Sequence, residues 1–178
     1  MYPIIRMVKA IVASRGKRRD ILEPISTWHR AWPWDIDPWK DLNNGRIITL
    51  FDLGRIALAA ETGLTATLMK NRWGIVVAGN TTRYRKRITM FQRFEMRTRC
   101  IGWDQRFVYM EQSMWRKGEC CNHILIRGAI TSKAGIVAPQ KAVEAMGHRG
   151  ESPALPAWVQ AWIAADHERP WPPEMPAA

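Results

Sequence analysis

Two hydrophobic periodicities divide the chain. From residue 44 to residue 63 apolar side chains fill most positions: Ile47, Ile48, Leu50, Phe51, Leu53, Ile56, Leu58 and the alanines that follow leave Arg46, Thr49, Asp52 and Arg55 as a narrow polar stripe. A helix with that pattern is buried on most of its sides. Asn43 and Asn44 suit its N-terminal cap, Gly63 suits a left-handed stop, and Asp52 and Arg55, three apart, are placed to pair. Elsewhere the period shortens to two. Residues 73–87, 91–103, 106–117 and 120–132 read as four strands whose short separations imply hairpins and an antiparallel sheet. In the second of them Arg93, Glu95, Arg97 and Arg99 alternate with Phe94, Met96, Thr98 and Cys100, one face wet and one dry.

Upstream of the helix, Trp28, Trp32 and Trp34 at even positions predict a first strand over residues 25–34, with Pro24 and Pro33 marking an end or an edge. Residues 64–72 form a second helical or irregular connection. The count of one strand, one long helix and four consecutive strands predicts an α+β domain: a curled antiparallel sheet of about five strands around a central helix. Beyond residue 138 the chain turns Pro- and Ala-rich, with one helix over residues 154–167 that carries Trp158 and Trp162 on one face, as a lid or an interface element, and a loose tail from 169 to 178. The organisation is thus one domain: a basic arm over residues 1–22, a core over 23–138, and a C-terminal helix and tail over 139–178. In the arm, Ile4, Ile5, Met7, Val8, Ile11 and Val12 interleave with Arg6 and Lys9 before the cluster Arg15, Lys17, Arg18, Arg19. This stretch is far short of the roughly 20 apolar residues that span a bilayer. It reads as a short amphipathic helix docked on its own domain, as a peripheral contact with an anionic membrane, or as a flexible arm.

Composition narrows the classes. A length of 178 residues, 47% hydrophobic, supports one sizeable core. The ten tryptophans are spread widely enough to be core, interface or pocket wall. Three cysteines, two of them adjacent, exclude a disulfide framework, and with no signal-peptide pattern the expected compartment is cytoplasmic. The net charge of +11 and pI near 10.2 favour an anionic partner: coenzyme A phosphates, an acidic carrier protein, an anionic membrane or nucleic acid. The strands lack the interleaved aromatic and basic motif of RNA-binding sheets, so nucleic acid is not expected. His29, His123, His148 and His167 show no metal spacing with the cysteines, and the chain has no phosphate-cradling glycine loop and no serine elbow; neither metal nor organic cofactor is expected.

The chemistry concentrates in the turn before the helix. An Asp-x-Asp ahead of a helix is commonly a capping or turn device. It can also serve chemistry: a carboxylate placed to activate water or act as a nucleophile, beside an oxyanion donor that the free N–H groups at a helix start near Asn43, Asn44 and Gly45 can supply. The run Asp35-x-Asp37-x-x-x-Asp41-x-Asn43-Asn44-x-x-Ile47 resembles the D-x-D-x-x-x-H-x-N-N-x-x-Y signature of hotdog-fold thioesterases of the 4-hydroxybenzoyl-CoA thioesterase type. Arg83-Tyr-Arg-Lys-Arg87 and Ile101-Gly-Trp-Asp104 are similar to segments of the thioesterase superfamily member six group, and the likeness spans residues 25–138.

The resemblance implies a hotdog fold, a homodimer that can pair into a tetramer, and hydrolysis of an acyl-CoA or acyl-carrier thioester. It implies Asp37 as nucleophile or general base and a backbone amide near Asn44 as the oxyanion donor, with Asn43 beside it. Asp41 stands where the family has His and Ile47 where it has Tyr. A second carboxylate four residues from Asp37 can tune a general base or disable the site, so a non-catalytic acyl-binding or scaffolding module is the alternative. Asp35 is expected to be structural, and Glu61, near the C-terminal end of the helix, to lie on the surface. Arg83, Arg85 and Arg87 are expected on one strand face with Lys86 opposite. Arg85, Lys86 and Arg87 are candidates for the coenzyme A phosphates; the alternative is a solvated face paired with Glu95 and Glu111.

Overall fold

The computed structural model describes residues 2–174. Its centre is the long helix α2, Asn44–Glu61, which follows α1, Ile4–Ala13, and strand β1, Ile25–Arg30. Then come α3 (Leu64–Asn71), β2 (Gly74–Tyr84), β3 (Arg93–Trp103), β4 (Val108–Arg116), β5 (Glu119–Ser132), β6 (Gly135–Val137), α4 (Pro139–Ala145) and α5 (Ala157–Glu168). The strands form one antiparallel sheet in the order β1-β3-β4-β5-β2, with β6 added to β5. The sheet curls around α2, the hotdog arrangement.

The predicted helix is capped as its sequence suggests. Asn43 accepts the Arg46 N–H through its side chain, and Gly63 takes φ 81°, a conformation a side chain would strain. Ile47, Leu50, Phe51, Leu53, Ala57 and Leu58 are buried, and they meet Phe94, Met96, Cys100, Met110, Met114, Ile124 and Ile126 from the dry face of the sheet. Gly54 lets the helix and sheet close to within contact of Thr98, Met96 and Gln112.

Several boundaries differ from the periodicity. The first strand ends at Arg30, four residues early, because Pro33 has no N–H for the ladder and opens a 3-10 turn, Pro33–Asp35. Trp28, on the outward face of β1, is 63% exposed, and Trp34, in the 3-10 turn, 66%. Strand β2 stops at Tyr84; the N–H groups of Arg85 and Lys86 both turn onto the Cys121 carbonyl, so Arg85, Lys86 and Arg87 lie in the connection to β3 and not on a strand face. The short strand β6 and helix α4 escaped the sequence reading, each being too brief for a periodic signal.

The C-terminal helix packs on the outer face of the sheet. Val159 with Leu155, Trp162 and Ile163 covers Ile101, Tyr109, Leu125 and Phe107, while Arg127 pairs with Asp166 at 2.6 Å and lies over the rings of Phe107 and Trp162. The expected loose tail runs partly outside the described residues.

Candidate active site

Residues 36–42 form a closed turn. Ile36 bridges Leu42, the Asp37 N–H donates to the Asp41 carbonyl at 2.8 Å, and the Lys40 N–H donates to the Asp37 carbonyl at 3.0 Å. Lys40 adopts φ 61°, an uncommon backbone conformation for a residue with a side chain. Within the turn Asp37 Oδ1 accepts the N–H of Trp39 at 2.9 Å and of Asp41 at 3.2 Å. Its Oδ2 has no hydrogen bond among the described residues. Asp37 is thus both a turn device and a half-exposed carboxylate with one oxygen to spare.

Asp37 opens onto a cleft of about 560 Å³ lined by Tyr2, Trp34, Asp37, Asn43, Arg46 and Thr49 among others. The start of α2 forms its other side: Asn43 is the cap and Asn44 the first helical residue, and helix geometry leaves the amides of Asn44 and Gly45 without intrahelical acceptors. The Asp37 carboxylate and the cap and first turns of α2, through Asn43, Arg46 and Thr49, therefore line one cleft near the positive end of the helix dipole.

Asp41 is turned away from it. Its Oδ1 accepts the Leu42 N–H at 2.8 Å and the Ile88 N–H at 3.1 Å, and its Oδ2 faces Arg87 Nε at 3.3 Å. Arg87 also donates to the Trp39 carbonyl, so the two side chains latch the turn to the β2–β3 connection. Lys86 lies 3.8 Å from Glu119, and no ion pair holds Arg85 among the described residues. Glu95 and Glu111, the partners envisaged for this cluster, are taken instead by Arg97 and by Arg99 and His123. All three basic residues are exposed, but only Arg87 touches the turn.

Asp35, the last residue of the 3-10 turn, is held in the structural role expected of it. Only 1% exposed, it accepts the Trp32 N–H at 2.9 Å and faces Arg6 at 2.6 Å and Arg46 at 3.0 Å. Two guanidiniums and a backbone amide offset the cost of burying this carboxylate. Glu61 corrects the expectation of a surface role. It is 3% exposed, held by Arg19 at 2.8 Å and Lys17 at 3.4 Å, because the basic segment after α1 folds back over the end of α2. A carboxylate at the negative end of a helix needs such compensation.

A second cavity of about 520 Å³ lies between apolar residues of the central helix and the dry face of the sheet, where an acyl channel is expected. It runs along the other half of α2, walled by Met7, Leu58, Met69, Val77, Met110 and Ile126 among others, and it shares Tyr2 with the first cleft. The predicted Asp52–Arg55 pair forms and lies in this wall. Arg55 is buried, donates to Gln112 Oε1 at 2.6 Å, and has its pKa lowered by that burial, against the pull of Asp52. Gln112 in turn donates to the Phe51 carbonyl at 2.8 Å and to Thr98 Oγ1 at 2.9 Å. The signal available beforehand was a polar Gln112 and Thr98 on strand positions that otherwise alternate apolar. Cys100 also borders the cavity, and burial pushes its thiol up to about 12.

Comparison with known proteins adds three findings. A family model described as the thioesterase-like superfamily matches residues 31–163. Protein THEM6 of Xenopus laevis is 30% identical over 148 residues, covering 82% of this chain and 70% of that protein; Protein THEM6 of Danio rerio is 28% identical over 153 residues, covering 82% and 71%. Among solved structures, the probable thioesterase YbaW from Escherichia coli is similar with a TM-score of 0.63 at 14% identity, covering 68% of this chain and 98% of that one, which speaks to the fold alone.

Proposed function

The chain belongs to the thioesterase-like superfamily, and from that premise we propose that it hydrolyses an acyl-CoA or acyl-carrier thioester in the cleft between Asp37 and the start of α2. The observation that carries this reading is that the Asp37 carboxylate and the N-terminal cap and first turn of a buried helix, Asn43 and Arg46, line the same cleft. Asp37, as general base or nucleophile, delivers oxygen to the thioester carbonyl; the amides near Asn44 hold the developing oxyanion, and the thiolate departs. The acyl chain runs past Tyr2 into the apolar cavity along α2. Arg85, Lys86 and Arg87, exposed in the β2–β3 connection, of which Arg87 holds the turn, meet the coenzyme A phosphates. This chemistry draws on no cofactor beyond the coenzyme A that the substrate carries. A homodimer is supported by the uncovered edge of β2, where Ile75, Val76 and Val77 are 38%, 52% and 53% exposed. The three free cysteines support a reducing, cytoplasmic setting.

The test is thiol release from short, medium, long and aromatic acyl-CoAs by wild type and by Asp37→Asn. Asparagine keeps an Oδ1 that can accept from Trp39 and Asp41, so the turn survives while the carboxylate is lost. The expected result is a fall of about 10²- to 10⁴-fold in turnover with unchanged melting behaviour. A second reading is favoured by one observation: Asp41, at the family's His position, is committed to Arg87 and Ile88 and contributes nothing to the cleft. If the wild type binds acyl-CoA without releasing thiol, and Asp37→Asn binds equally well, the protein is an acyl-binding module.

A further inference from the structure

Helix α1 is docked the wrong way round for a helix that only braces its own domain. At 100° per residue, Ile4, Ile5, Val8, Ile11 and Val12 share one sector of roughly 120°. That sector faces outward: these side chains are 59%, 85%, 50%, 39% and 51% exposed, and no residue of α1 is buried. The face turned to the protein carries Arg6, Met7 and Ala10 instead, with Arg6 tied to Asp35. An isolated exposed leucine means little, but a contiguous apolar stripe on a helix marks something that covers it.

The charge around the stripe says what that is. Residues 2–19 carry six basic side chains and no acidic one. Of these Lys9, Arg15 and Arg18 have no ion pair among the described residues. A twofold contact of α1 with α1 of a second copy would set these cations against their own likeness, with no carboxylate from the segment between them. An anionic lipid surface instead receives both the apolar stripe and the cations. Tyr2, Met7 and Ile11 of the same segment border the apolar cavity along α2, and Met69 on its rim is 76% exposed.

We infer that the outward face of α1 seats the protein on anionic bilayers and brings the mouth of the acyl cavity to the membrane. The consequence for substrate, which rests on the thioesterase reading, is a preference for long-chain acyl thioesters that partition into lipid over short, soluble ones.

The experiment is flotation of the full chain with vesicles of phosphatidylcholine alone and of phosphatidylcholine with about 30% phosphatidylglycerol. The double variant Ile5→Asp, Val8→Asp is run beside it; neither residue borders either cavity. The wild type floats with the anionic vesicles and is released by high salt, and the double variant binds at least about tenfold less with unchanged melting. Failure of the wild type to bind anionic vesicles at low salt overturns the inference, as does a double variant that binds equally well. So does a fall in the molar mass of the variant by light scattering, which would assign the stripe to a second copy. Thiol release from a soluble short-chain acyl-CoA is measured separately. Turnover without vesicle binding defeats only the membrane inference, and vesicle binding without turnover on any acyl-CoA defeats only the thioesterase reading.

Discussion

Gly54 sits where helix and sheet approach most closely, and a single methyl there meets three atoms at once. A Cβ would collide with Thr98 Oγ1 and lie 2.7 Å from Met96 Sδ and 2.8 Å from Gln112 Nε2, two of which belong to the buried hydrogen-bond network of Arg55. Alanine gains about 1 kcal/mol of helix propensity over glycine, while overpacking costs about 1–3 kcal/mol and disturbed buried hydrogen bonds add about as much again. Gly54→Ala is therefore expected to lower stability by about 1–5 kcal/mol in urea titrations. His29 makes a second residue-scale prediction. Burial, and after it the charge of Arg6, push its pKa down from 6.5 to about 4, so the unfolded chain binds the proton more readily than the folded one. Its contribution is full above pH 6.5 and is lost as pH falls toward 4. Urea stability at pH 5 should be lower than at pH 7 by on the order of 1 kcal/mol, and His29→Phe should remove that difference. Glu111, held at about 2 mainly by its hydrogen bond to His123 and further by Arg99, acts in a lower window, between pH 4.5 and 2, and leaves this comparison clean.

Among the elements, α1 depends most on a few contacts. Its Arg6 reaches a carboxylate that is 1% exposed and that also receives Arg46 and the Trp32 N–H. Removing one partner of a buried ion pair strands the others, at about 3–5 kcal/mol. Because both arginines are partly exposed and can rehydrate, Asp35→Ala is expected near the low end, about 3 kcal/mol by urea unfolding. The same change should speed tryptic cleavage after Lys9 and Arg15, since it frees α1. The helix was legible from its apolar and basic spacing. Which side it turns inward was not, because that choice is set by Asp35, distant in sequence, and not by the helix's own pattern.

At the scale of the molecule, the sheet has two open edges, β1 and β2, and the β2 edge carries the more apolar surface. Light scattering should return twice the 20.5 kDa chain mass. Val77→Lys, a charge on that edge, should shift the equilibrium toward monomer with little loss of fold. At one end the outer face of the sheet is occupied by α5 through Val159 and Trp162.

Local periodicity was enough for much of this. The all-round apolar run of α2, its Asn43 cap, its Gly63 stop, the hairpin-linked strands and the carboxylate turn all follow from neighbours within a few residues, where chain geometry and side-chain spacing act directly. The resemblance carried by Asp35, Asp37, Asn43 and Asn44 lay in that same short range. Partnership at long range lay outside it. Glu61 is buried because Lys17 and Arg19 fold back onto it, Asp41 is latched by Arg87 across 46 residues, and Arg85 leaves the strand because its amide finds the Cys121 carbonyl. Such pairings depend on which surfaces the fold brings together, and a polar side chain in sequence does not reveal which opposite charge will neutralise it.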